Sequence, residues 1–219
     1  MYRLPVYEIF GPTIQGEGLY CGHRTIFLRL AGCDYRCSWC DTRYAQSVKQ
    51  ARYELTEKEV MQLIKGNARG ITQRVTITGG NPCIYDLSIL VSLLHQENYK
   101  VHIETQGSII PSWLYNVDHV CISPKPPSSG NITHLSSFGE FMQRGTSKEL
   151  KVVVATEEDY LYAKKVHHEY KSYPLTIQAC TIESSLSVMN WLIEKVSSDS
   201  DFSDNVRLLP QIHVLLGIK

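Results

Sequence analysis

Short apolar runs alternate with longer amphipathic segments along most of the chain. Runs of about four to eight residues rich in valine, isoleucine and threonine are typical of strands. Six such runs occur, namely Thr25–Leu30, Arg74–Thr78, Lys100–Thr105, His119–Ser123, Glu149–Ala155 and Leu175–Ala179. Four segments have the apolar spacing of helices, namely Thr56–Gly66, Leu87–Asn98, Glu157–Tyr170 and Ser185–Val196. Strands that alternate with helices predict parallel strands joined by crossover helices, which is an α/β fold.

The number of strands narrows the architecture within that class. A closed eight-stranded barrel with its helices usually takes about 250 residues, and this chain has 219. We therefore predict an incomplete, TIM-like barrel of about six parallel strands, or an open sheet, formed by a single domain over residues 1–219. Thr56 and Glu59 form a capping-box pair that marks the start of the first predicted helix.

Polar residues and glycines gather at the carboxyl ends of the predicted strands. They are the loop from Cys33 to Thr42, Thr78-Gly79-Gly80-Asn81, Glu104-Thr105, Ser123-Pro124-Lys125 and Gln178. Each of these alone is an ordinary polar turn. The carboxyl ends of parallel strands meet at one edge of the fold, where α/β proteins bind ligands. Five such ends in one chain, one of them rich in cysteine, predict a functional site at that edge.

Composition and charge exclude several classes of protein. Lys+Arg and Asp+Glu both number 22, so a broad nucleic-acid-binding face is not expected. The chain has no run of about eighteen apolar residues, and its N-terminal stretch lacks the apolar core of a signal peptide, so no membrane span is expected. The seven cysteines are odd in number, and three lie within eight residues. That distribution predicts thiols kept for metal chemistry in the reducing cytoplasm, rather than a disulfide framework.

Cys33, Cys37 and Cys40 form a CxxxCxxC motif directly after the first predicted strand. Three thiolates at this spacing suit one soft metal centre. A structural zinc ion needs four protein ligands, and Cys21 or His23 would have to supply the fourth. An iron–sulfur cubane held by only three cysteines keeps one iron open for a substrate or cofactor. The motif leaves both interpretations in place.

Six segments extend the motif into a resemblance that spans nearly the whole chain, from Phe10 to Lys219. They read FGPTIQGEG, FLRLAGCDYRCSWCDT, VTITGGNP, IETQG, ISPKPP and LLPQIHVLLGIK. Together they resemble the 7-carboxy-7-deazaguanine synthase family of radical S-adenosylmethionine enzymes. The resemblance implies a lyase that converts 6-carboxy-5,6,7,8-tetrahydropterin to 7-carboxy-7-deazaguanine with loss of ammonia, in queuosine biosynthesis. It also implies that no side chain beyond the cluster and the cofactor has to initiate the reaction.

The resemblance assigns cofactors to named positions. It implies a [4Fe-4S] cluster on Cys33, Cys37 and Cys40, and Mg²⁺ at Thr42, although a threonine in this setting is usually a helix cap. The residues implied to bind S-adenosylmethionine are Trp39, Gly79, Gly80, Glu104, Ser123, Lys125 and Gln178. The alternatives are simple packing for Trp39 and surface polar roles for Glu104 and Gln178. Asn81 stands where the family usually has glutamate.

The resemblance also assigns the substrate site. The residues implied are Ile14, Gln15, Gly16, Glu17, Arg29, Thr78, His213 and Lys219, the last through its terminal carboxylate. Arg29 interrupts an apolar strand and needs a partner, which is either the substrate carboxylate or an internal carboxylate at Glu17 or Glu8. The terminal carboxylate is ionised at neutral pH and would accept from the amino-pyrimidine edge.

The implied partners are an electron donor such as flavodoxin or ferredoxin and a second copy of the chain. The apolar segment VRLLPQIHVLL would serve the homodimer or pack in the core. Two other functions compete with this interpretation. One is an activase that generates a glycyl radical on a partner protein. The other is a zinc-stabilised binding module that uses Cys21 with the three motif cysteines, which the neutral charge and polar strand ends disfavour.

Overall fold

The computed structural model describes residues 3–181 and 185–218. Within these residues, nine strands form one sheet. The strands are β1 (Leu4–Ile14), β2 (Arg24–Leu30), β3 (Tyr53–Leu55), β4 (Arg74–Gly79), β5 (Lys100–Thr105), β6 (His119–Ile122), β7 (Ser147–Val154), β8 (Leu175–Ala179) and β9 (Val206–Leu209). The helices are α1 (Glu57–Ala68), α2 (Ser88–Gln96), α3 (Gly139–Met142), α4 (Glu157–Glu169), α5 (Ser185–Ser198) and α6 (Ile212–Leu216).

The sheet is open and mostly parallel, in the order β3-β1-β2-β4-β5-β6-β7-β8-β9. The series from β2 through β4 to β9 is parallel, whereas β1 and β3 run antiparallel at one side. The predicted α/β class with parallel strands is therefore confirmed. The six predicted strands are all present, and the described residues contain three more, which are β1, β3 and β9.

The predicted helices are also present, as α1, α2, α4 and α5, with ends shifted by one or two residues. Thr56 caps α1 through the predicted reciprocal bonds with Glu59. Thr156 and Asp159 make the same arrangement at the start of α4. Two threonine caps thus fix where the chain leaves the sheet edge and enters a helix.

Alternation along the strands separates an apolar face from a polar one. The side chains of Ile26, Leu28 and Ile77 are fully buried in the same core as Val60 and Ile64 of α1. The intervening positions are polar and lie on the opposite face, since successive strand residues point to opposite sides. These polar positions are Thr25, Arg29, Thr76, Thr78, His102, Glu104, His119, Glu149, Lys151, Thr176 and Gln178. The helices therefore cover one face, and the concave polar face is left for the site.

The loop of residues 15–23, called the covering loop below, crosses this polar face. Its Leu19 backbone N–H donates to both Glu149 carboxylate oxygens, at 2.8 and 2.7 Å. Tyr20 packs against His102 and His119, with ring centroids 4.3 and 4.8 Å apart. The loop thereby fills the part of the concave face that lies away from the cysteines. No helix in the described residues is long and apolar enough to cross a membrane.

Candidate active site

A cavity of about 390 Å³ opens at the carboxyl ends of the parallel strands. It brings together most of the predicted site residues from distant parts of the sequence. These residues are Ile14, Gln15, Gly16, Glu17, Arg29, Cys33, Cys37, Trp39, Cys40, Thr42, Thr78, Gly79, Gly80, Glu104, Ser123, Lys125 and His213. The cavity therefore joins the cysteine motif to the segments predicted to bind cofactor and substrate.

Among the described residues, one predicted residue is not part of this cavity lining. Gln178 is fully buried in β8, in register with Val153, which does line the cavity. Both polar atoms of the Gln178 amide lack a hydrogen-bond partner among the described residues. Lys219 lies outside the described residues.

The cysteine loop is anchored at its start by backbone bonds. Gly32 N–H donates to Ala45 O at 2.8 Å, and Cys33 N–H donates to Gln46 O at 2.9 Å. Cys33 and Cys37 are partly exposed toward the cavity, and burial raises the pKa of both thiols. Metal binding to such thiols has to displace their protons.

His23 lies too far from the cysteine loop to complete a four-ligand zinc site. Its ring contacts the Arg74 guanidinium at 3.2 Å, at the first residue of β4. The cysteine loop meets the other end of the same strand, where Asn81 N–H donates to Gly32 O at 2.8 Å. At about 3.3 Å per residue, the two ends of this strand are roughly 16 Å apart.

The glycine pair after β4 is pressed against the cysteine loop. A Cβ on Gly80 would lie 2.8 Å from Cys33 Cβ, and a Cβ on Gly79 would lie 2.6 Å from Leu30 N. Gly79 also has a φ of 141°, which side chains disfavour. Only glycine allows the backbone this close to the motif, so the pair exposes bare backbone to the cavity.

Asn81 has a structural role at the position where the family usually has glutamate. Its side chain is fully buried and accepts from Cys83 N–H at 3.2 Å and from Thr105 Oγ1 at 2.9 Å. Its amide nitrogen donates to Asp34 at 2.9 Å. An uncharged amide can donate and accept at once, which a carboxylate cannot do.

Lys125 and Trp39 form one wall of the cavity. Lys125 Nζ donates to Ser123 Oγ at 3.0 Å and lies 5.9 Å from the centre of the Trp39 ring. The indole N–H of Trp39 donates to Ser128 Oγ at 2.8 Å. The tryptophan side chain is therefore fixed by the protein, which leaves its backbone to line the cavity.

Glu104 links two predicted substrate residues. Its carboxylate accepts from Gln15 Nε2 at 2.9 Å and from Thr78 Oγ1 at 2.8 Å. A carboxylate has about four acceptor positions, so further bonds to a ligand are possible in this arrangement. Gln15 and Thr78 are both buried, and Glu104 holds them on the same side of the cavity.

A charged network connects Glu17 to two distant segments, β7 and the C-terminal segment. Glu17 forms an ion pair with Lys151, and its other oxygen accepts from Gln211 Nε2 at 2.7 Å. His213 Nε2 lies 4.0 Å from the same carboxylate. Burial opposes ionisation of Glu17, but Lys151 and His213 outweigh it and lower its pKa to about 2. Burial likewise disfavours the Lys151 ammonium, whose pKa Glu17 nevertheless holds well above its usual range.

Sequence reasoning missed Lys151 and Gln211 as site residues. Lys151 is 6% exposed and comes from strand β7, in which the oppositely charged Glu149 is two positions before it. That spacing places both on one face of a strand and was the available signal. Gln211 had no comparable signal, because it meets Glu17 only through tertiary structure.

Arg29 pairs with one of the two internal carboxylates considered for it. Its Nε donates to Glu8 Oε1 at 3.0 Å, and its guanidinium lies 5.8 Å from the ring centres of Phe10 and Tyr44. The two terminal nitrogens of Arg29 make no hydrogen bond within residues 3–181 and 185–218. The structure thus shows the ion pair with Glu8. The two terminal nitrogens of Arg29, a residue of the cavity lining, remain as hydrogen-bond donors.

Thr42 occupies the N-cap position of a short 3-10 helix, but its side chain makes no capping hydrogen bond. Its hydroxyl lies 3.6 Å from Cys40 Sγ. Ligand atoms of the neighbouring Asp41, together with Glu17 and His213, lie within 4.8 Å of one another and are able to hold a metal ion. This corner of the cavity is therefore rich in hard oxygen donors.

Comparison with known proteins finds relatives that match nearly the whole chain. The family model described as the Radical SAM superfamily matches residues 28–122. A 7-carboxy-7-deazaguanine synthase from Bacillus cereus is 37% identical over 99% of this chain and 97% of its own length. The protein of the same name from Bacillus subtilis is 37% identical over 97% and 96% of the two chains.

Solved structures agree with the fold. The crystal structure of QueE from Escherichia coli matches with a TM-score of 0.73 and 26% identity, over 96% of this chain and 95% of that one. SuiB from Streptococcus suis, in a structure bound to S-adenosylmethionine, matches with a TM-score of 0.57 and 14% identity, over 81% and 44% of the chains. At that identity, the second match shows the fold alone. The identity to the Bacillus enzymes, which extends over nearly the full length of both chains, places this protein in the 7-carboxy-7-deazaguanine synthase family of radical S-adenosylmethionine enzymes.

Proposed function

We propose that this enzyme converts 6-carboxy-5,6,7,8-tetrahydropterin to 7-carboxy-7-deazaguanine with loss of ammonia, as a step of queuosine biosynthesis. One observation carries the proposal. A single cavity joins the three motif cysteines to Gln15, Glu17 and other groups able to form hydrogen bonds with a charged pterin. Residues 1–219 would act as one radical SAM domain, which the continuous nine-stranded sheet of the described residues supports.

The residues of the cavity fit a [4Fe-4S] cluster and S-adenosylmethionine. Three partly exposed thiols face the cavity, and the bare backbone of Gly79 and Gly80 leaves room for a close ligand. The unpartnered Gln178 amide is buried beside Val153, which lines the cavity, so it would meet a cofactor only after a local movement exposed it. When bound, the cluster and S-adenosylmethionine would together supply one-electron cleavage of the sulfonium and removal of a substrate hydrogen.

The chain's own residues would orient the substrate. Glu17 remains ionised because of Lys151, so it presents a fixed acceptor to the amino and ring N–H groups of a pterin. Gln15 and Thr78, held by Glu104, would border the same ring. His213 would close the site from the C-terminal segment, where Ile212 N–H donates to Gly16 O at 3.1 Å.

Mg²⁺ fits the corner around Thr42. The Thr42 hydroxyl makes no capping bond, and Asp41, Glu17 and His213 add ligands nearby. Mg²⁺ prefers hard oxygen donors and usually keeps several water ligands, so one hydroxyl with substrate oxygens would complete its shell. Thr42 would then fix the metal beside the substrate.

Thr42→Ala is expected to weaken the dependence of product formation on Mg²⁺ while S-adenosylmethionine is still cleaved. The reason is that the hydroxyl belongs to the proposed metal shell, whereas the cluster ligands are cysteines. Product and 5′-deoxyadenosine should be measured separately across a Mg²⁺ titration. Equal product formation by the parent enzyme with and without Mg²⁺ would contradict the metal proposal.

Arg29→Lys is expected to weaken substrate binding by roughly 1.5–3 kcal/mol, the worth of a hydrogen bond to a charged group. The guanidinium can bond Glu8 through Nε and the substrate carboxylate through its terminal nitrogens, and lysine cannot reproduce that fork. Equilibrium binding of the carboxypterin and thermal unfolding should each be measured for the variant and for the parent protein. Normal binding, or unfolding of the variant, would assign Arg29 to the Glu8 ion pair alone.

The proposed electron donor is an acidic carrier such as flavodoxin or ferredoxin. Four exposed cations lie within and just after the cysteine loop, namely Arg36, Arg43, Lys49 and Arg52. None of them forms an ion pair within the residues that the structure describes. The cysteine loop also carries the exposed carboxylates Asp34 and Asp41, so the cations outnumber the acidic groups there by only a small margin. A locally positive surface of this kind beside the cluster would attract an acidic carrier and orient it.

The proposed assembly is a homodimer, and the proposed compartment is the reducing cytoplasm. The segment VRLLPQIHVLL has one part that packs in the sheet and another that is available for a dimer contact. Its first part is β9, paired to β8, whereas Val214, Leu215 and Leu216 are 46%, 54% and 60% exposed. A contiguous apolar turn of this kind suits a protein interface.

All seven cysteines are free, which fits the proposed reducing compartment.

Mass spectrometry of a single reaction tests the proposed function. Anaerobically reconstituted and reduced protein is incubated with S-adenosylmethionine and 6-carboxy-5,6,7,8-tetrahydropterin. We expect 7-carboxy-7-deazaguanine and 5′-deoxyadenosine. Cleavage of S-adenosylmethionine without the deazaguanine would reject this substrate, and a colourless zinc-containing protein would reject the enzyme class.

A further inference from the structure

The loop of residues 126–133, called the clamp loop below, holds the cysteine loop in place. Ser38 donates from its backbone N–H to Ser129 O at 2.9 Å and from its hydroxyl to Ser128 O at 2.7 Å. Tyr35 donates from its hydroxyl to Ile132 O at 2.8 Å. The clamp loop thus meets the cysteine loop on both sides of Cys37.

One clamp-loop side chain reaches a motif sulfur directly. Asn131 Nδ2 lies 3.4 Å from Cys37 Sγ and also donates to Ser129 O at 3.1 Å. The Asn131 oxygen accepts from Arg36 N–H at 3.1 Å. A backbone N–H only donates and a carbonyl only accepts, so these two partners fix which end of the amide is which. The donor end of Asn131 therefore faces the sulfur.

The other motif sulfurs have different neighbours. Cys33 Sγ accepts from Tyr35 N–H at 3.4 Å and, at the longer distance of 3.8 Å, from Gln106 Nε2. Cys40 Sγ lies near the Thr42 hydroxyl at 3.6 Å. Asn131 is thus the side-chain amide with the shorter contact to a motif sulfur in the described residues.

We infer that Asn131 is a positioning residue that raises the reduction potential of the cluster by donating a hydrogen bond to the Cys37 sulfur. The inference rests on the proposed function, because it needs a cluster on the three cysteines. Hydrogen bonds to cysteine sulfurs are among the factors that set cluster potentials. Reduction adds a negative charge that the thiolates share, so a donor stabilises the reduced cluster more than the oxidised one. Asn131 thereby makes the cluster easier for a carrier to reduce.

The test is a redox titration of the reconstituted cluster, followed by electron paramagnetic resonance, in the full-length protein. Asn131→Leu removes the donor without adding charge, and Asn131→Asp removes it while keeping an acceptor for Arg36 N–H. Each variant should lower the ratio of reduced to oxidised cluster about tenfold at a given potential, which is about 59 mV for one electron. The control is Ser128→Ala, which removes the Trp39 contact of the same loop and leaves the Cys37 sulfur bond intact. Its potential should equal that of the parent.

An unchanged potential in Asn131→Leu with the cluster intact would overturn the inference. A shift in Asn131→Asp alone would also overturn it, since added charge would then be the cause. So would an equal shift in Ser128→Ala, because loop geometry would then explain the effect. If Asn131→Leu does not hold a cluster, the smaller and also uncharged Asn131→Ala decides, and a parental potential there overturns the inference. The titration needs no pterin, so failure of the proposed function would show separately, as absence of the deazaguanine product from the parent enzyme.

Discussion

Cys33→Ala, Cys37→Ala and Cys40→Ala are each expected to give a folded protein that retains no cluster and has no turnover. Each change removes one of three anchors in the motif, and cysteine ligation of iron–sulfur clusters does not tolerate such a loss. Folding should survive because backbone bonds, such as Cys33 N–H to Gln46 O, hold the loop. Bound iron should fall to the background level of a protein without a cluster. Iron and sulfide analysis measures the loss of the cluster, and circular dichroism measures whether the variant is folded.

The other cysteines provide matched controls for that experiment. Cys83 and Cys121 are buried away from the cavity lining, and Cys21 is also not part of it. Alanine at each of these positions should leave the iron content near that of the parent protein. Cys180 lines the cavity but is not in the motif, so Cys180→Ala should retain the cluster as well. Loss of the cluster in Cys21→Ala would show a fourth protein ligand and would contradict the open-iron arrangement.

Lys151→Met is expected to destabilise the protein by about 3–5 kcal/mol, the usual cost of leaving one member of a buried ion pair without its partner. For a chain of this size, each kcal/mol lowers the melting temperature by roughly 2–4 °C. The variant should also bind the carboxypterin weakly, because Glu17 would no longer be held ionised. Thermal unfolding and equilibrium binding are the measurements.

The pH dependence of the stability of Lys151→Met distinguishes loss of the ion pair with Glu17 from a general packing defect. In the parent protein, the folded pKa of Glu17 is about 2, below its usual 4.5. Its contribution to stability is therefore complete above the usual value and is lost as pH falls through about 2. Without Lys151, burial is opposed only by His213 and Gln211, so the pKa of Glu17 rises from its parental value. The stability deficit of Lys151→Met should then be greatest near neutral pH and should shrink as the pH is lowered.

Lys148 supplies a matched control on the same strand. Lys148 and Lys151 are each 6% exposed, but Lys148 contacts the backbone oxygens of Arg144 and Thr146 rather than a buried carboxylate. Lys148→Met should therefore cost less and should not disturb substrate binding. Adding Glu17→Gln to Lys151→Met should recover part of the lost stability, since the uncompensated charge is removed. Equal losses at the two lysines, or no recovery in the double variant, would contradict the ion-pair explanation.

The sequence predicted the parallel part of the fold because those strands are short runs rich in valine, isoleucine and threonine, separated by helical segments. It did not reveal β1, whose run contains Pro5 and a Gly11-Pro12 pair, features that argue against a strand. The structure accommodates Gly11-Pro12 at a register shift between Phe10 and Thr13. The short strand β3 was missed because its three residues carry no pattern of their own.

The site was predictable where a motif or a strand end marked it. The cysteines and Gly79-Gly80 line one cavity as their positions at strand ends suggested. Gln211 could not be found in this way, because its bond to Glu17 joins residues 194 positions apart and leaves no local trace. Asn131 was likewise hidden, since an asparagine in a Gly-rich and Ser-rich loop is typical of a turn. Tertiary contacts between loops, rather than periodic patterns, supply these parts of the site.

The link between the covering loop and the C-terminal segment has a consequence for synthesis of the protein. A domain generally folds as a unit, while its chain is synthesised at about 5–20 residues per second. Glu17 emerges early, whereas Gln211, which bonds its carboxylate, follows 194 residues later. Gly16 must also wait for His213, whose backbone nitrogen lies 2.9 Å from the position of a Cβ on that glycine. The last strand of the sheet, β9, and the C-terminal partners of Gly16 and Glu17 are all made late, so the sheet and the proposed pterin site can be completed only after synthesis has reached the C-terminal segment.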